Sequence, residues 1–223
     1  MSIEILDLGL VGYEEFLVFQ NELLGKRARG EAGDTLIIAE HFPVVTLGRL
    51  SAGEWCRDIG YFKTKNIDII QTSRGGKNTC HSPGQLLIYP VIDLSKKLKD
   101  IGHYLNFLEN SLIGALRELG IDARINGTRR GVWVGPKKIA FIGVAVKSWI
   151  TFHGASVNIN NDLEPFSLMD PCGEQDIKVT SAREILGKEL DMPMVKKLFA
   201  RRFIVDIQQY IGNMGTPLGA VHV

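Results

Sequence analysis

Ile67-Asp68-Ile69-Ile70-Gln71-Thr72-Ser73-Arg74-Gly75-Gly76-Lys77-Asn78-Thr79-Cys80-His81-Ser82-Pro83-Gly84-Gln85-Leu86-Leu87-Ile88-Tyr89-Pro90-Val91-Ile92 sets two β-branched, apolar runs around a glycine-rich middle. Ile67 to Thr72 and Leu86 to Ile92 read as strands, and Arg74 to Gly84 as a loop held between them. Loops anchored in this way are frequent binding sites. Toward the N-terminus, Ile3 to Leu8 reads as a strand and Tyr13 to Arg29 as an amphipathic helix ended near Gly30. Strands Thr35 to Glu40 and Val44 to Leu47 follow, parted by a turn at Pro43. Toward the C-terminus, Tyr104 to Leu119 puts Tyr104, Leu105, Leu108, Leu112, Ala115, Leu116 and Leu119 on one helical face, with Gly120 as the stop. Val132 to Val134, Ile139 to Val146 and Phe152 to Ile159 read as consecutive strands in an antiparallel or mixed portion of sheet. Ser181 with Glu184 forms a capping box for a short helix, and Met194 to Ile211 is a second long amphipathic helix. Strand and helix therefore alternate, which predicts an α/β (α+β) fold. With no repeat, low-complexity stretch or Pro/Ser-rich linker, residues 1–223 are expected to form a single domain.

Composition narrows the function classes. The chain is 45% hydrophobic, enough for a substantial core, and its 26 Lys plus Arg nearly balance its 25 Asp plus Glu. No global charge favours a nucleic acid or a membrane surface, so electrostatic recognition has to be local. Charges interrupt every apolar stretch well before the roughly 20 residues that span a bilayer, and MSIEILDLGL lacks a basic segment followed by an apolar run. A cytoplasmic protein is expected. Cys56, Cys80 and Cys172 are odd in number and widely spaced, which fits reduced thiols better than a disulfide framework or a metal site. The histidines form neither an HExxH nor a C2H2 pattern, so no metal and no cofactor are expected.

Two cysteines are candidate nucleophiles. Cys172 lies in Asp170-Pro171-Cys172-Gly173, where proline fixes the approach of the chain and glycine lets the backbone come close to an acyl carbonyl. A thiol attacks carbonyls as thiolate, so a neighbouring cation or a helix N-terminus has to lower its pKa. Cys80 sits beside His81, but successive side chains on an extended backbone face opposite sides. Periodicity does not choose between them, and either cysteine is also a common type of core filler. The glycine-rich segment offers backbone N–H groups to a phosphate or a carbonyl, yet it matches neither GxxxxGK[ST] nor GxGxxG. Lys137 and Lys138 start a strand, where lysines are usually edge protection, whereas a lysine enclosed in a pocket supplies charge to a thiolate or moves a proton. His153, Trp133 and Trp149 read as packing residues with satisfied polar tips.

Several blocks occur together and in order. They are Thr46-Leu47-Gly48-Arg49, Arg74 to Gln85 with Tyr89-Pro90, Gly131-Val132-Trp133-Val134, Lys138-Ile139-Ala140, His153-Gly154, Asn158, Asp162-Leu163 and Pro171-Cys172-Gly173. From about Thr35 to Cys172 the chain closely resembles the lipoyl(octanoyl) transferase family. That resemblance implies a mixed β-sheet flanked by helices, similar to the biotin and lipoate protein ligase catalytic domain. It implies transfer of octanoyl from acyl carrier protein to a cysteine, and then to the lysine of a lipoyl domain in a 2-oxoacid dehydrogenase complex or the glycine cleavage H protein. Residue by residue, it implies Cys172 as acyl carrier and Lys138 as the group that tunes it. It also implies substrate-binding positions at Arg74, Gly75, Gly76, Lys77, Asn78, Thr79, Cys80 and His81, at Phe141, Ile142 and Gly143, and at Gly154, Ala155 and Ser156. Acidic partners would be met by Arg49, Arg74, Lys77, Arg129, Arg130 and Lys137.

Three departures from the family pattern, Ser82, Cys80 and Ala155-Ser156, are expected to fall at the pocket. Two rival readings are weighed. An ATP-dependent lipoate or biotin protein ligase would need no cysteine, and a non-catalytic acyl or lipoyl-domain binding module would need no reactive thiol. The in-line Pro171-Cys172-Gly173 and the lack of a nucleotide motif favour the transferase.

Overall fold

The structure, a computed structural model, describes residues 3–51, 58–95, 100–127, 129–169 and 177–214, with side chains to 210. In chain order the elements are β1 (Glu4–Val11), α1 (Tyr13–Ala28), β2 (Thr35–His41), β3 (Val44–Leu47), α2 (Ile59–Thr64), β4 (Asp68–Gln71), β5 (Asn78–His81) and β6 (Gln85–Val91). There follow α3 (Ile101–Glu118), β7 (Arg124–Asn126), β8 (Arg129–Val134), β9 (Lys137–Lys147), β10 (Ile150–Asn158), α4 (Glu164–Ser167), α5 (Ala182–Leu186) and α6 (Met192–Met214).

The main sheet has seven strands in the order β1-β2-β6-β10-β9-β8-β7, parallel only between β1 and β2. This is the expected mixed sheet flanked by helices. On one face α3 and α6 bury Leu108, Leu112, Leu116, Phe199 and Phe203 against Leu36, Leu86 and Val157. On the other, α1 buries Tyr13, Phe16, Gln20, Leu23 and Leu24, a spacing of three and four that places them on one helical face. Burying a Leu or Phe completely contributes about 1.5–3 kcal/mol, so these two faces fix where each helix lies. Asp100 caps α3, its side chain accepting from the His103 N–H at 3.0 Å.

The segment around the glycines differs from the sequence expectation in one respect. Asn78-Thr79-Cys80-His81 is a strand, not loop, because it pairs antiparallel with Val44–Leu47 while β4 pairs with the other edge of β3, making a second, three-stranded sheet. Tertiary pairing outweighs the weak strand preference of Asn. Ser181 caps α5 as expected, accepting from the Glu184 N–H at 3.2 Å, but the Glu184 carboxylate accepts from Thr180 Oγ1 at 2.9 Å instead of closing the reciprocal box. Among the described residues, no helix is long and apolar enough to cross a membrane.

Candidate functional site

The glycine-rich turn between β4 and β5 is stitched to the residues after β3. Gly48 N donates to Lys77 O, Arg49 N to Arg74 O and Leu50 N to Gly76 O, at 2.8, 3.0 and 3.1 Å. Arg74 completes the stitching from its side chain. Only 7% exposed, it donates through Nε to Thr46 Oγ1 and through Nη2 to Thr46 O, at 2.9 and 2.5 Å. This corrects the expectation of Arg74 as a docking charge, because its guanidinium is committed to holding the turn. The Thr46-Leu47-Gly48-Arg49 block is the other half of that scaffold.

Under the turn lies a narrow slot of about 40 Å³. Its lining takes Arg74, Gly76, Lys77, Asn78, Thr79 and His81 from the turn and β5, Phe141, Ile142 and Gly143 from β9, and Gly154, Ala155 and Ser156 from β10. Twelve of the residues singled out from sequence thus converge on one cavity. They meet because β9 and β10 pair antiparallel with Phe141 opposite Ser156, Ile142 opposite Ala155 and Gly143 opposite Gly154. Gly154 is fixed by close approach, since a Cβ there would lie 2.0 Å from Ile88 O on β6. Tyr13, Leu87, Tyr89 and His153 complete the wall and were not singled out as site residues. Strand period alone puts Leu87 and Tyr89 on one face, and His153 adjoins the glycine of the motif.

The histidines in and behind this wall are neutral at pH 7, although the Arg74 guanidinium stands beside them. Burial pushes His81 down to about 3, with His41 the second cause, and pushes His41 down to about 4. Burial also lowers His153 to about 4, with the Arg74 charge adding to it. The tautomers follow from the partners. His41 Nδ1–H donates to Val11 O, leaving Nε2 to accept from the Tyr89 hydroxyl, both at 2.9 Å. His81 Nδ1–H donates to Gln85 Oε1 at 2.7 Å, while Gln85 Nε2 donates to Asn158 Oδ1 at 2.9 Å. His153 differs from the expectation of a satisfied packing residue. Its φ is +54°, its Nε2 bonds Ser73 Oγ at 3.0 Å, and its Nδ1 has no hydrogen-bond partner; Thr79 Oγ1 in the same wall and Trp133 Nε1 are likewise unpartnered.

Lys138 and Gly75 line a second cavity of about 240 Å³ that shares Gly76, Ile142 and Gly143 with the slot. This trough also takes Leu105, Arg130 and Val144. Lys138 is 2% exposed, and its Nζ stands 4.9 Å from the centroid of the Phe141 ring and 5.4 Å from that of Trp133. An ammonium over aromatic faces at these distances is held electrostatically. On its backbone, Lys138 N donates to Lys178 O at 2.8 Å and Lys138 O accepts from Thr180 N at 3.0 Å. Asn158 Nδ2 in turn donates to Thr180 O at 3.0 Å. Residues 178–180 are thereby pinned beside the lysine.

Pro171, Cys172 and Gly173 lie outside the described residues. Cys80 is described, and it lines neither cavity. It packs with Val45, Phe62, Phe141, Phe166 and Met169, while His81, the next residue on the strand, faces the slot. Burial, then the nearby Asp162 carboxylate, push the Cys80 thiol up to about 12, so it stays protonated at neutral pH. Of the three departures from the family pattern, only Ala155-Ser156 lines the slot; Cys80 and Ser82 do not. Arg49, Arg129, Arg130 and Lys137 are exposed, although Arg130 is engaged with Asn106 and Glu109.

Comparison with known proteins fits this geometry. Residues 12–204 match the family model described as the lipoyl protein ligase A/B catalytic domain. The chain is 40% identical over 199 residues to an octanoyltransferase of Geobacter metallireducens, covering 89% of this chain and 91% of that one. An octanoyltransferase of Desulfovibrio desulfuricans is 38% identical over 217 residues, with 95% and 90% covered. In fold, the chain is similar to a lipoate-protein ligase A bound with ATP, with a TM-score of 0.77 at 19% identity over 93% of this chain and 86% of that one. A biotin protein ligase from Aquifex aeolicus gives 0.61 at 15% identity over 95% and 72%.

Proposed function

This chain belongs to the lipoyl protein ligase A/B catalytic domain family, and we propose that its octanoyl cargo travels as a thioester on Cys172. It is an acyltransferase of protein lipoylation that passes octanoyl to a lipoyl-domain lysine. In the proposed cycle the Cys172 thiolate attacks the thioester carbonyl of an octanoyl acyl carrier protein. The bond to the carrier sulfur breaks, and that sulfur leaves with a proton from Lys138. The neutral Lys138 amine then takes a proton from the acceptor lysine as it attacks the Cys172 thioester, and the returning thiolate is held by the regenerated ammonium. Thioester to thioester exchange is nearly isoenergetic and thioester to amide is downhill, so no nucleotide is consumed. Acceptors are the lipoyl domains of 2-oxoacid dehydrogenase complexes and the glycine cleavage H protein, met in the cytoplasm.

The observation that carries this reading is the buried Lys138 side chain, which lines the trough that shares Gly76, Ile142 and Gly143 with the slot. Phe141 belongs to both sites, lining the slot and lying under Lys138 Nζ at 4.9 Å. Cys172 precedes by six positions Lys178, whose carbonyl binds Lys138 N, a tether of at most about 22 Å when extended. A slot of about 40 Å³ has room for a few waters. Each CH2 of the acyl chain buried in an apolar wall contributes about 0.8 kcal/mol.

The test separates transferase from ligase. Purified protein is mixed with a lipoyl domain and either octanoyl carrier protein without nucleotide, or octanoate with ATP. Octanoyl-lysine should form in the first mixture alone. Formation only with ATP would replace the transferase by a ligase, whose fold this chain shares.

A further inference from the structure

Lys138 is buried, and something has to keep its flexible stem in one path. The stem crosses Gly131 on the neighbouring strand. A Cβ at residue 131 would lie 2.5 Å from Lys138 Cε and 3.2 Å from its Nζ, and Gly131 has φ +115°, a conformation that favours glycine. The β8–β9 ladder shifts register immediately afterwards, between Val132 and Trp133. Gly131 therefore sits at an irregular point of the sheet, where ladder bonds alone do not fix the backbone.

What fixes it comes from α3. Glu109 is 1% exposed, and its Oε1 accepts from the Gly131 N–H at 2.8 Å. Its Oε2 accepts from Arg130 Nη1 at 3.0 Å. Arg130 is half exposed and has a further partner in Asn106 Oδ1 at 2.6 Å. The buried oxygen is thus spent on one backbone N–H, the one beneath the lysine stem. A charge-assisted bond of this kind is short and directional.

We infer that Glu109 is a positioning residue for Lys138, acting through Gly131: by holding the Gly131 N–H it keeps open the path along which the Lys138 stem carries its ammonium. This rests on the Lys138 role proposed above. What positioning requires of residue 109 is an acceptor at the right reach, not a negative charge. Glu109→Gln keeps the reach and loses the charge. Glu109→Asp keeps the charge and withdraws the acceptor by one methylene.

The test follows iodoacetamide alkylation of the Cys172 peptide by mass spectrometry between pH 6 and 9 in folded protein. Lys138→Ala should slow alkylation at pH 7 about tenfold, the effect of a one-unit rise in thiol pKa. Glu109→Asp should slow it several-fold and move the midpoint upward toward that of Lys138→Ala, whereas Glu109→Gln stays within about twofold of wild type. Adding Glu109→Asp to Lys138→Ala should change nothing further. A wild-type curve for Glu109→Asp beside a shifted one for Lys138→Ala would overturn the positioning role alone, as would a Glu109→Gln variant slower than Glu109→Asp. A wild-type curve for Lys138→Ala would remove the dyad reading and this inference with it.

Discussion

The slot and the trough share Gly76, Ile142 and Gly143, yet different titratable side chains face them. In the slot, burial drives His81 and His153 to their neutral forms, and Tyr13 and Tyr89 upward so that they stay protonated. In the trough, Lys138 is as thoroughly buried but rests on the faces of Phe141 and Trp133. The apolar and aromatic part of the slot, Tyr13, Leu87, Tyr89, Phe141 and Ile142, suits a hydrocarbon chain, while the Lys138 side chain of the trough suits the end of that chain where charge moves.

Removing the cation should have the largest effect. Lys138→Ala is expected to cut the rate of octanoyl-lysine formation about 10²- to 10⁴-fold, the range of general acid–base catalysis, in initial-rate assays. If transfer slows less than tenfold, the trough is not where the chemistry happens. Next comes the slot wall. Leu87→Ala should cost about 2–5 kcal/mol of stability by urea denaturation and shift preference from octanoyl toward longer donors in a chain-length series. An unchanged length profile would detach the slot from the acyl chain.

The neutral histidines make a smaller prediction. The unfolded chain takes up protons near the ordinary histidine value of about 6.5, whereas folded His41 and His153 wait until about 4. Between those values the unfolded state binds more protons, so stability is full above about pH 6.5 and is lost as pH falls toward 4, by about 1 kcal/mol per pH unit for each histidine. Urea melts at pH 7.5, 6 and 5 should trace this loss, and His41→Gln should lessen it; a profile flat from 7.5 to 5 would contradict the neutral histidines. The smallest effect belongs to Cys80→Ser, which should change the transfer rate less than twofold.

The residues of the slot were legible through the resemblance to the family, whose pattern falls in short contiguous blocks. Arg74 to His81, Phe141 to Gly143 and Gly154 to Ser156 each supply adjacent residues, and strand pairing needs only to bring three segments together. The long helices and most strands were legible from their periods. What escaped depends on pairing across the chain. Asn78-Thr79-Cys80-His81 carries no alternating pattern, so its strand character appears only opposite β3. Tyr13 reads as an ordinary first core residue of an amphipathic helix. Arg74 looks like a solvated cation until Thr46 is seen to hold it. Glu109 is one more helix acid until Gly131 is found against it. Burial also settles what spacing left open for Cys80, whose thiol lies on the far side of its strand from the slot.

The most direct measurement is the site of acylation. Wild type, Cys80→Ser and Cys172→Ser proteins are exposed to octanoyl carrier protein, quenched in acid, digested and mapped by mass spectrometry. An octanoyl group on the Cys172 peptide, kept in Cys80→Ser and lost in Cys172→Ser, is the predicted result. Octanoyl on Cys80, or an adduct that survives Cys172→Ser, would contradict it.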